Sequence, residues 1–534
     1  MSRRVTAHRN GGAAVVQTLA AHDVDTIFGI PGTHNLELYR HFSDCSIRPV
    51  TPRHEQGAGY AADGYAQVAG RPGIVVTTSG PGITNAVTAA ATAYAESRPL
   101  LFLSPGMPRS TIGRALGQLH ETKESPSSAM DRIVAWSRRV ESAAEASAAV
   151  ADAFADLRRG RPRPLHIEIP VDVLDEPWSG EVAIAGSDSS PGPAALEQDC
   201  VRRAAEILTQ AVRFLLICGG GAVKATAQVR ALAERVGAPV ATTCNGKGVL
   251  PEDHPLSVGA SVRLPVLQDA ARASDGLLVV GSELGDSDLW GGRIESDTVV
   301  RCDIDPAQLD KNCPADVHLH GDAAACLDAL LRELPPGGAP SQGQDRAAAL
   351  RQACAAAALA DGKVWAELND VLRSALPADT IVAGDSSQVT YFGTVHFFPV
   401  PEPRRFLYMP GYATLGYGLP AAIGAKLADP ARTVAAVVGD GAFMFSVQEL
   451  ATAVELGLPL LIVVADNAGY REIRDQQETR GIDPVGVDLR VPDFPALARA
   501  FGARGAEVDH LEQLPDLVST ALTAPGPTVI RVPV

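Results

Sequence analysis

Gly439-Asp440-Gly441 stands between an apolar run, Val434 to Val438, and a segment of helical composition. Glycines flanking an aspartate let the backbone approach a ligand closely, and a helix N-terminus offers N–H groups to an anion. Asp440 adds a hard oxygen donor. Straight after the next apolar run, Leu460 to Val464, come Asn467 and, two residues on, Gly469. If the two runs are neighbouring parallel strands, both loops share one carboxyl edge, where ligands bind in open α/β sheets. A carboxylate from Asp440, an amide oxygen from Asn467 and the Gly469 carbonyl suit an octahedral Mg2+ that also contacts phosphates. The competing reading is a helix-capping aspartate and a turn asparagine. A second constellation, Arg53-His54-Glu55-Gln56-Gly57-Ala58, sets a glutamate before a Gly/Ala-rich helix. Taken alone, Glu55 could simply favour the helix dipole.

Such loops need strands to carry them, and the chain alternates short β-branched runs with Ala/Leu-rich segments throughout. Gly73 to Thr78 and Leu100 to Leu103 read as buried strands, as do Phe214 to Ile217 and Leu277 to Val280, and again the two runs above. Near-continuous apolar strands spaced by helices predict parallel sheets covered on both faces. Stretches 176–195 and 334–346 are rich in Gly, Pro and Ser and read as linkers. The expected class is therefore α/β, with three doubly wound parallel-sheet domains at 1–178, 192–334 and 347–534. The first and third blocks also match each other. GIVVTTSGPG, ITNAVTAAATAYAESRP and LLFLSPG parallel TVAAVVGDG, AFMFSVQELATAVELGLP and LLIVVADN, and both blocks close on a similar strand. Two copies of one unit flanking a different, Rossmann-like middle unit is the expectation.

Bulk composition narrows the partners. The chain has 534 residues, 46% of them hydrophobic and 20% charged, with a formal charge of −16. That excess of acid argues against nucleic acid or an anionic membrane as partner. Eight cysteines are scattered without a C-x-x-C pair, which fits a reduced cytoplasmic protein without a zinc site. Met1 to Val5 carries charge with no apolar segment after it, so no signal peptide is expected. No apolar run approaches the roughly 20 residues of a membrane helix.

With its following asparagine, the G-D-G loop resembles the cofactor motif of thiamine-diphosphate enzymes. The resemblance covers nearly the whole chain, in the block order of the acetohydroxyacid synthase and 2-oxo acid decarboxylase group: pyrimidine-binding, middle, diphosphate-binding. Asp466-Asn467 stands where the family usually has Asn-Asn, which keeps the ligating asparagine. The resemblance implies thiamine diphosphate and Mg2+ as cofactors, with Asp440, Asn467 and Gly469 on the metal. It implies that Glu55 donates a hydrogen bond to a ring nitrogen of the aminopyrimidine, favouring the tautomer that removes the thiazolium C2 proton. It assigns Leu415 to propping the cofactor into its bent shape, with Ala413 beside it. Ser386, Ser387, Gln388, Gly439, Gly441, Ala442 and Tyr470 should face the cofactor, and Gly80 and Asn85 should lie along the pyrimidine. Thr33, His34, Thr78, His120 and Arg471 are the expected substrate contacts, with His34 and His120 as candidate catalytic groups. Benzoylformate decarboxylases carry a histidine where Thr78 aligns, so their acid/base arrangement is not reproduced. Cys218-Gly219-Gly220-Gly221 follows a strand, but no G-x-G-x-x-G with a downstream acid is present, so FAD is not expected.

The implied reaction is decarboxylation of a 2-oxo acid through an enamine, releasing an aldehyde. Segments such as Thr51 to Gly59, Asn245 to Gly248, Asp303 to Pro306 and Gly469 to Asp475 are similar to those of 5-guanidino-2-oxopentanoate decarboxylases. Arg471 replaces an expected glycine there, and a cation at that position would suit an anionic substrate better than a guanidinium. Acetolactate-type carboligation, or transfer to an amine as in carboxyethylarginine synthases, stay open as alternatives. A non-catalytic cofactor-binding relative is the remaining one. Family members share active sites between subunits, so a homodimer or homotetramer is expected.

Overall fold

Apolar runs bounded by Gly, Pro and polar turns become strands, and every strand pairing is parallel. The computed structural model describes residues 9–111, 125–184, 196–336 and 340–534. The first sheet contains β1 (Thr26–Gly29), β2 (Arg48–Val50), β3 (Gly73–Val76), β4 (Leu100–Gly106), β5 (Trp136–Arg139) and β6 (Leu165–Pro170), in the order β2-β1-β3-β4-β6-β5. The second contains β7 (Phe214–Cys218), β8 (Val240–Thr242), β9 (Ser257–Gly259), β10 (Gly276–Val280), β11 (Val299–Asp303) and β12 (Val317–His320), in the order β12-β11-β10-β7-β8-β9. The third contains β13 (Ile381–Ala383), β14 (Phe406–Leu407), β15 (Val434–Gly439), β16 (Leu461–Asp466), β17 (Arg504–Glu507) and β18 (Thr528–Pro533), in the order β14-β13-β15-β16-β18-β17.

The first and third orders are the same permutation. Each segment matched in the sequence repeat occupies the same position: β3 with β15, β4 with β16, β6 with β18. The central strands β1, β3, β4, β7, β10, β15 and β16 are buried along their length and are mostly apolar, as expected of strands covered on both faces.

By contact the chain forms two compact units: Met1–Ser190 with Pro420–Pro430 and Ser446–Leu456, and Pro191–Leu419 with Ala431–Phe445 and Gly457–Val534. The first unit therefore borrows two segments from the third sequence block. They pack against the helix Glu55–Ala69, and small residues make this close approach achievable. A Cβ on Gly64 would lie 2.2 Å from the Ala421 carbonyl, and one on Gly424 would lie 1.9 Å from that of Ala61.

The linker expected at 334–346 is shorter than the composition suggested. Residues from Pro340 onward already belong to a helix, Pro340–Ala375, kinked at Gly362. Gly343 packs there against the Gly237 backbone, which leaves 2.1 Å for a Cβ, so this glycine marks a close approach rather than a loose tether. Among the described residues no helix is long and apolar enough to cross a membrane.

Candidate active site

In the first unit the loops after β1, β2 and β3 all emerge at one edge of the sheet. His54 ends the loop after β2 in extended conformation, and its Nδ1 accepts from the Gln56 N–H at 3.1 Å, starting the helix at Glu55. Glu55 is 7% exposed, and Asn85 donates to its Oε2 at 3.0 Å. Gly82 leaves room beside it: a Cβ there would sit 2.9 Å from Thr78 Cγ2 and 3.5 Å from Glu55 Oε1. The Tyr39 hydroxyl is raised by burial and by the charge of Glu55. Gly80 turns the chain with φ of 60° before the helix Pro81–Asn85.

The loop after β1 is clamped to the loop after β3. Asn35 donates to the carbonyls of Ile30 and Thr77, each at 3.0 Å, and accepts from the Gly32 N–H at 2.8 Å. His34 Nδ1 meets Ser79 Oγ at 2.6 Å, and burial lowers the imidazole pKa. Thr33 is exposed beside it. His34, Thr78, Gly80, Asn85 and Glu55 thus share one edge. His120 lies outside the described residues.

Sequence reading did not find Glu449. Its carboxylate, 1% exposed, accepts from the backbone N–H groups of both Arg53 and His54 at 3.1 Å and from Thr452 Oγ1 at 2.7 Å. A Cβ on Gly57 would sit 2.5 Å from Glu449 Oε1, which explains that glycine. The loop that presents Glu55 is thereby fixed by a residue nearly 400 positions away. No local signal could have pointed to it.

In the second unit the loops after β13, β15 and β16 meet at one edge of the third sheet. Asp440 opens a short helix directly after β15 and is 4% exposed. Its Oδ2 accepts from the Gly469 N–H at 2.8 Å. The Asn467 side chain lies against Asp440 Oδ1 at 3.3 Å and the Gly469 carbonyl at 3.2 Å, and its oxygen is the atom placed toward them. Asp440, Asn467 and Gly469 are therefore brought together as expected from the sequence.

The backbone between them takes positive φ at two successive residues. Ala468 has φ of 66°, held by an N–H bond to Asp466 Oδ1 at 3.0 Å, and Gly469 has φ of 127°, where a Cβ would sit 2.3 Å from the Val487 carbonyl oxygen. Burial pushes the Asp440 carboxyl up to about 6, and the neighbouring Asp466 charge adds to this. Asp466 is tied to Arg531 Nε at 2.6 Å.

Asp385 follows β13, is fully buried, and is pushed up to about 7 by burial. Ser387 donates to its Oδ1 at 2.7 Å, while Oδ2 has no partner among the described residues. Ser386, Ser387 and Gln388 continue this loop, and residues Val389–Thr394 wind as a π-helix, a form often found at functional sites. Gly439 faces Ser387, and Gly441 faces the Tyr470 ring with 2.9 Å left for a Cβ. Ala442 is buried beside them. Ala413 has φ of 52° in the loop after β14, next to half-buried Leu415. Arg471 starts the exposed helix Arg471–Thr479 and pairs with Asp475 at 2.9 Å.

The fit to an oxygen-liganded divalent ion rests on the three convergent oxygens. In the middle sheet the glycines after β7 serve packing. A Cβ on Gly219 would sit 2.4 Å from the Gly281 carbonyl and one on Gly221 2.7 Å from Gly281 Cα, so these glycines accommodate the loop after β10.

Comparison with known proteins finds three family matches along the chain. Residues 9–130 match the family model described as thiamine pyrophosphate enzyme, N-terminal TPP binding domain. Residues 201–330 match the central domain of that family, and 385–532 its C-terminal TPP binding domain. The chain is 42% identical over 527 residues to a probable 2-ketoarginine decarboxylase AruI of Pseudomonas aeruginosa, covering 97% of this chain and 93% of the relative. It is 31% identical over 577 residues to a probable acetolactate synthase large subunit of Methanocaldococcus jannaschii, covering 98% and 91%. An acetolactate synthase large subunit of Parasynechococcus marenigrum is 34% identical over 555 residues, with 98% and 87% covered.

Proposed function

The chain belongs to the thiamine pyrophosphate enzyme family, and from that premise we propose that it decarboxylates a 2-oxo acid with thiamine diphosphate and Mg2+, releasing an aldehyde. The observation that carries this reading is that the Asn467 amide lies within 3.3 Å of both Asp440 Oδ1 and the Gly469 carbonyl at the carboxyl edge of the third sheet. When bound, the thiazolium supplies the electron sink for loss of carbon dioxide.

The remaining work falls to this chain's own residues. Asp440, Asn467 and the Gly469 carbonyl hold the metal. Gly439, Gly441, Ala442, Ser386, Ser387 and Gln388 face the diphosphate, and Ala413, Leu415 and Tyr470 support the rings. Glu55 holds a proton at the pyrimidine, a contribution on the order of 10²–10⁴ in rate. Asn85 and Gly80 line that ring. Thr33, His34, Thr78, His120 and Arg471 face the substrate, His34 and His120 as proton carriers. Glu55 belongs to one compact unit and the metal ligands to the other. We propose that one subunit's Glu55 serves the metal site of a second, in a cytoplasmic homodimer or homotetramer. FAD has no part in the proposal.

The 42% identity to a probable 2-ketoarginine decarboxylase supports 5-guanidino-2-oxopentanoate as the first substrate to try. Arg471 does not oppose this, because its charge is paired with Asp475. The acetolactate synthases among the relatives support a second reading, in which the intermediate is captured by another 2-oxo acid. Incubation with a panel of 2-oxo acids and mass spectrometry of the products decides. An aldehyde one carbon dioxide lighter than its parent acid supports the first reading; a ligated hydroxy acid would replace it with the second.

A further inference from the structure

An asparagine amide can face a metal site by either end, and the two choices are not equivalent. With nitrogen inward, Asn467 donates to Asp440 Oδ1 at 3.3 Å and to the Gly469 carbonyl at 3.2 Å. That orientation closes the site with internal hydrogen bonds. With oxygen inward, three oxygens meet with no proton between them, and Asn467 Nδ2 donates outward to Gln388 Oε1 at 3.3 Å. Metal–oxygen bonds of about 2.0–2.1 Å at right angles set neighbouring oxygens about 3 Å apart, close to the spacing here. Only the second orientation can take a cation.

Gln388 makes the choice, and it is not free to choose otherwise. Its Nε2 donates to Glu472 Oε2 at 3.0 Å and to Asp475 Oδ2 at 3.3 Å. Carboxylates only accept. If Gln388 turned over, its carbonyl would face two carboxylates. Its Oε1 therefore stays toward Asn467, which must answer with a donor. The carboxylates are themselves held. Gln476 Nε2 donates to Glu472 Oε1 at 2.9 Å, the Tyr391 hydroxyl also bonds Glu472, and Arg471 Nε donates to Asp475 Oδ1 at 2.9 Å. Hydrogen-bond polarity thus runs from the helix Arg471–Thr479 inward and ends with an oxygen at the metal site.

We propose that Glu472 and Asp475, acting through Gln388, are positioning residues that preset Asn467 with its oxygen toward the metal. This rests on the metal site proposed above. Partners that orient metal ligands are commonly worth 10–100-fold in metal affinity.

The test is Mn2+ affinity, measured by electron paramagnetic resonance at saturating thiamine diphosphate. Gln388→Leu should weaken Mn2+ binding about tenfold or more. The pair Glu472→Gln with Asp475→Asn lets Gln388 turn, and should weaken it as well. Asn467→Asp supplies an oxygen in either orientation, so adding Gln388→Leu to it should cost little further affinity. Mn2+ binding by Gln388→Leu within twofold of wild type would overturn the inference. So would an equal loss from Gln388→Leu in the wild-type and Asn467→Asp backgrounds, since that would be a merely structural effect. If Gln388→Leu fails to fold, the two changes on the exposed helix carry the decision. A wild-type protein that binds no Mn2+ with the cofactor would instead sink the metal-site reading itself.

Discussion

Glu55 and Asp440 are both buried acids, yet their surroundings ask opposite things of them. Glu55 stands at a helix start with one amide donor, Asn85, on its outer oxygen. Asp440 is raised by burial and the Asp466 charge, a direction that a bound divalent cation reverses. Glu55→Gln should lower turnover at least about a hundredfold. Calorimetry should find thiamine diphosphate affinity within a few-fold of wild type, because the amide keeps the shape of the site. Near-normal turnover would remove Glu55 from its role. Asp440→Ala should abolish the Mg2+ dependence of cofactor binding, and an unchanged dependence would contradict the metal set. Asp440 was singled out by its type and spacing, and Glu55 through the family resemblance. Gln388 was expected to face the cofactor, but its hold on Asn467 was not legible, nor was Glu472, since hydrogen-bond polarity appears only once side chains meet.

At the scale of elements, the loop after β2 depends on Glu449. Glu449→Ala leaves the Arg53 and His54 N–H groups without an acceptor, each worth about 1–3 kcal/mol. Denaturant unfolding should detect that loss, and turnover should fall with it because Glu55 follows directly. Stability untouched by Glu449→Ala would mean that the loop is held by other contacts. The sheet offers a pH test as well. His166 on β6 is fully buried between Ser104 on β4 and Ser137 on β5, at 2.8 and 2.6 Å, and burial lowers its pKa to about 3. The unfolded chain takes up this proton near 6.5, so stability is lost as pH falls from about 6.5 toward 3, by about 1.4 kcal/mol per unit from this group. His166→Gln should flatten that part of the stability profile relative to wild type. Parallel profiles between pH 7 and 5 would show that the buried imidazole is not the source. The strands themselves were readable from apolar runs. Glu449 was not, because its partners are remote in sequence.

For the whole molecule, the internal repeat was legible in its matched segments, and the structure puts β3 and β15, β4 and β16, and β6 and β18 at equal positions in their sheets. The exchange of Pro420–Pro430 and Ser446–Leu456 into the first unit was not legible, because it depends on Gly64 packing against Ala421 and Gly424 against Ala61, far apart in the chain. The division of Glu55 from the metal ligands yields a direct prediction about assembly. Two inactive variants, Glu55→Gln and Asp440→Ala, unfolded and refolded together, should regain activity if sites are shared between subunits. One site of each hybrid then carries both defects and the other none. A mixture as inactive as its parents would mean that each chain completes its own site. The measurement that tests the central claim most directly is carbon dioxide release from 5-guanidino-2-oxopentanoate and other 2-oxo acids. The account predicts release that requires both thiamine diphosphate and Mg2+ and is lost in Glu55→Gln. No release from any 2-oxo acid by protein with both bound, or release that persists without thiamine diphosphate, would contradict it.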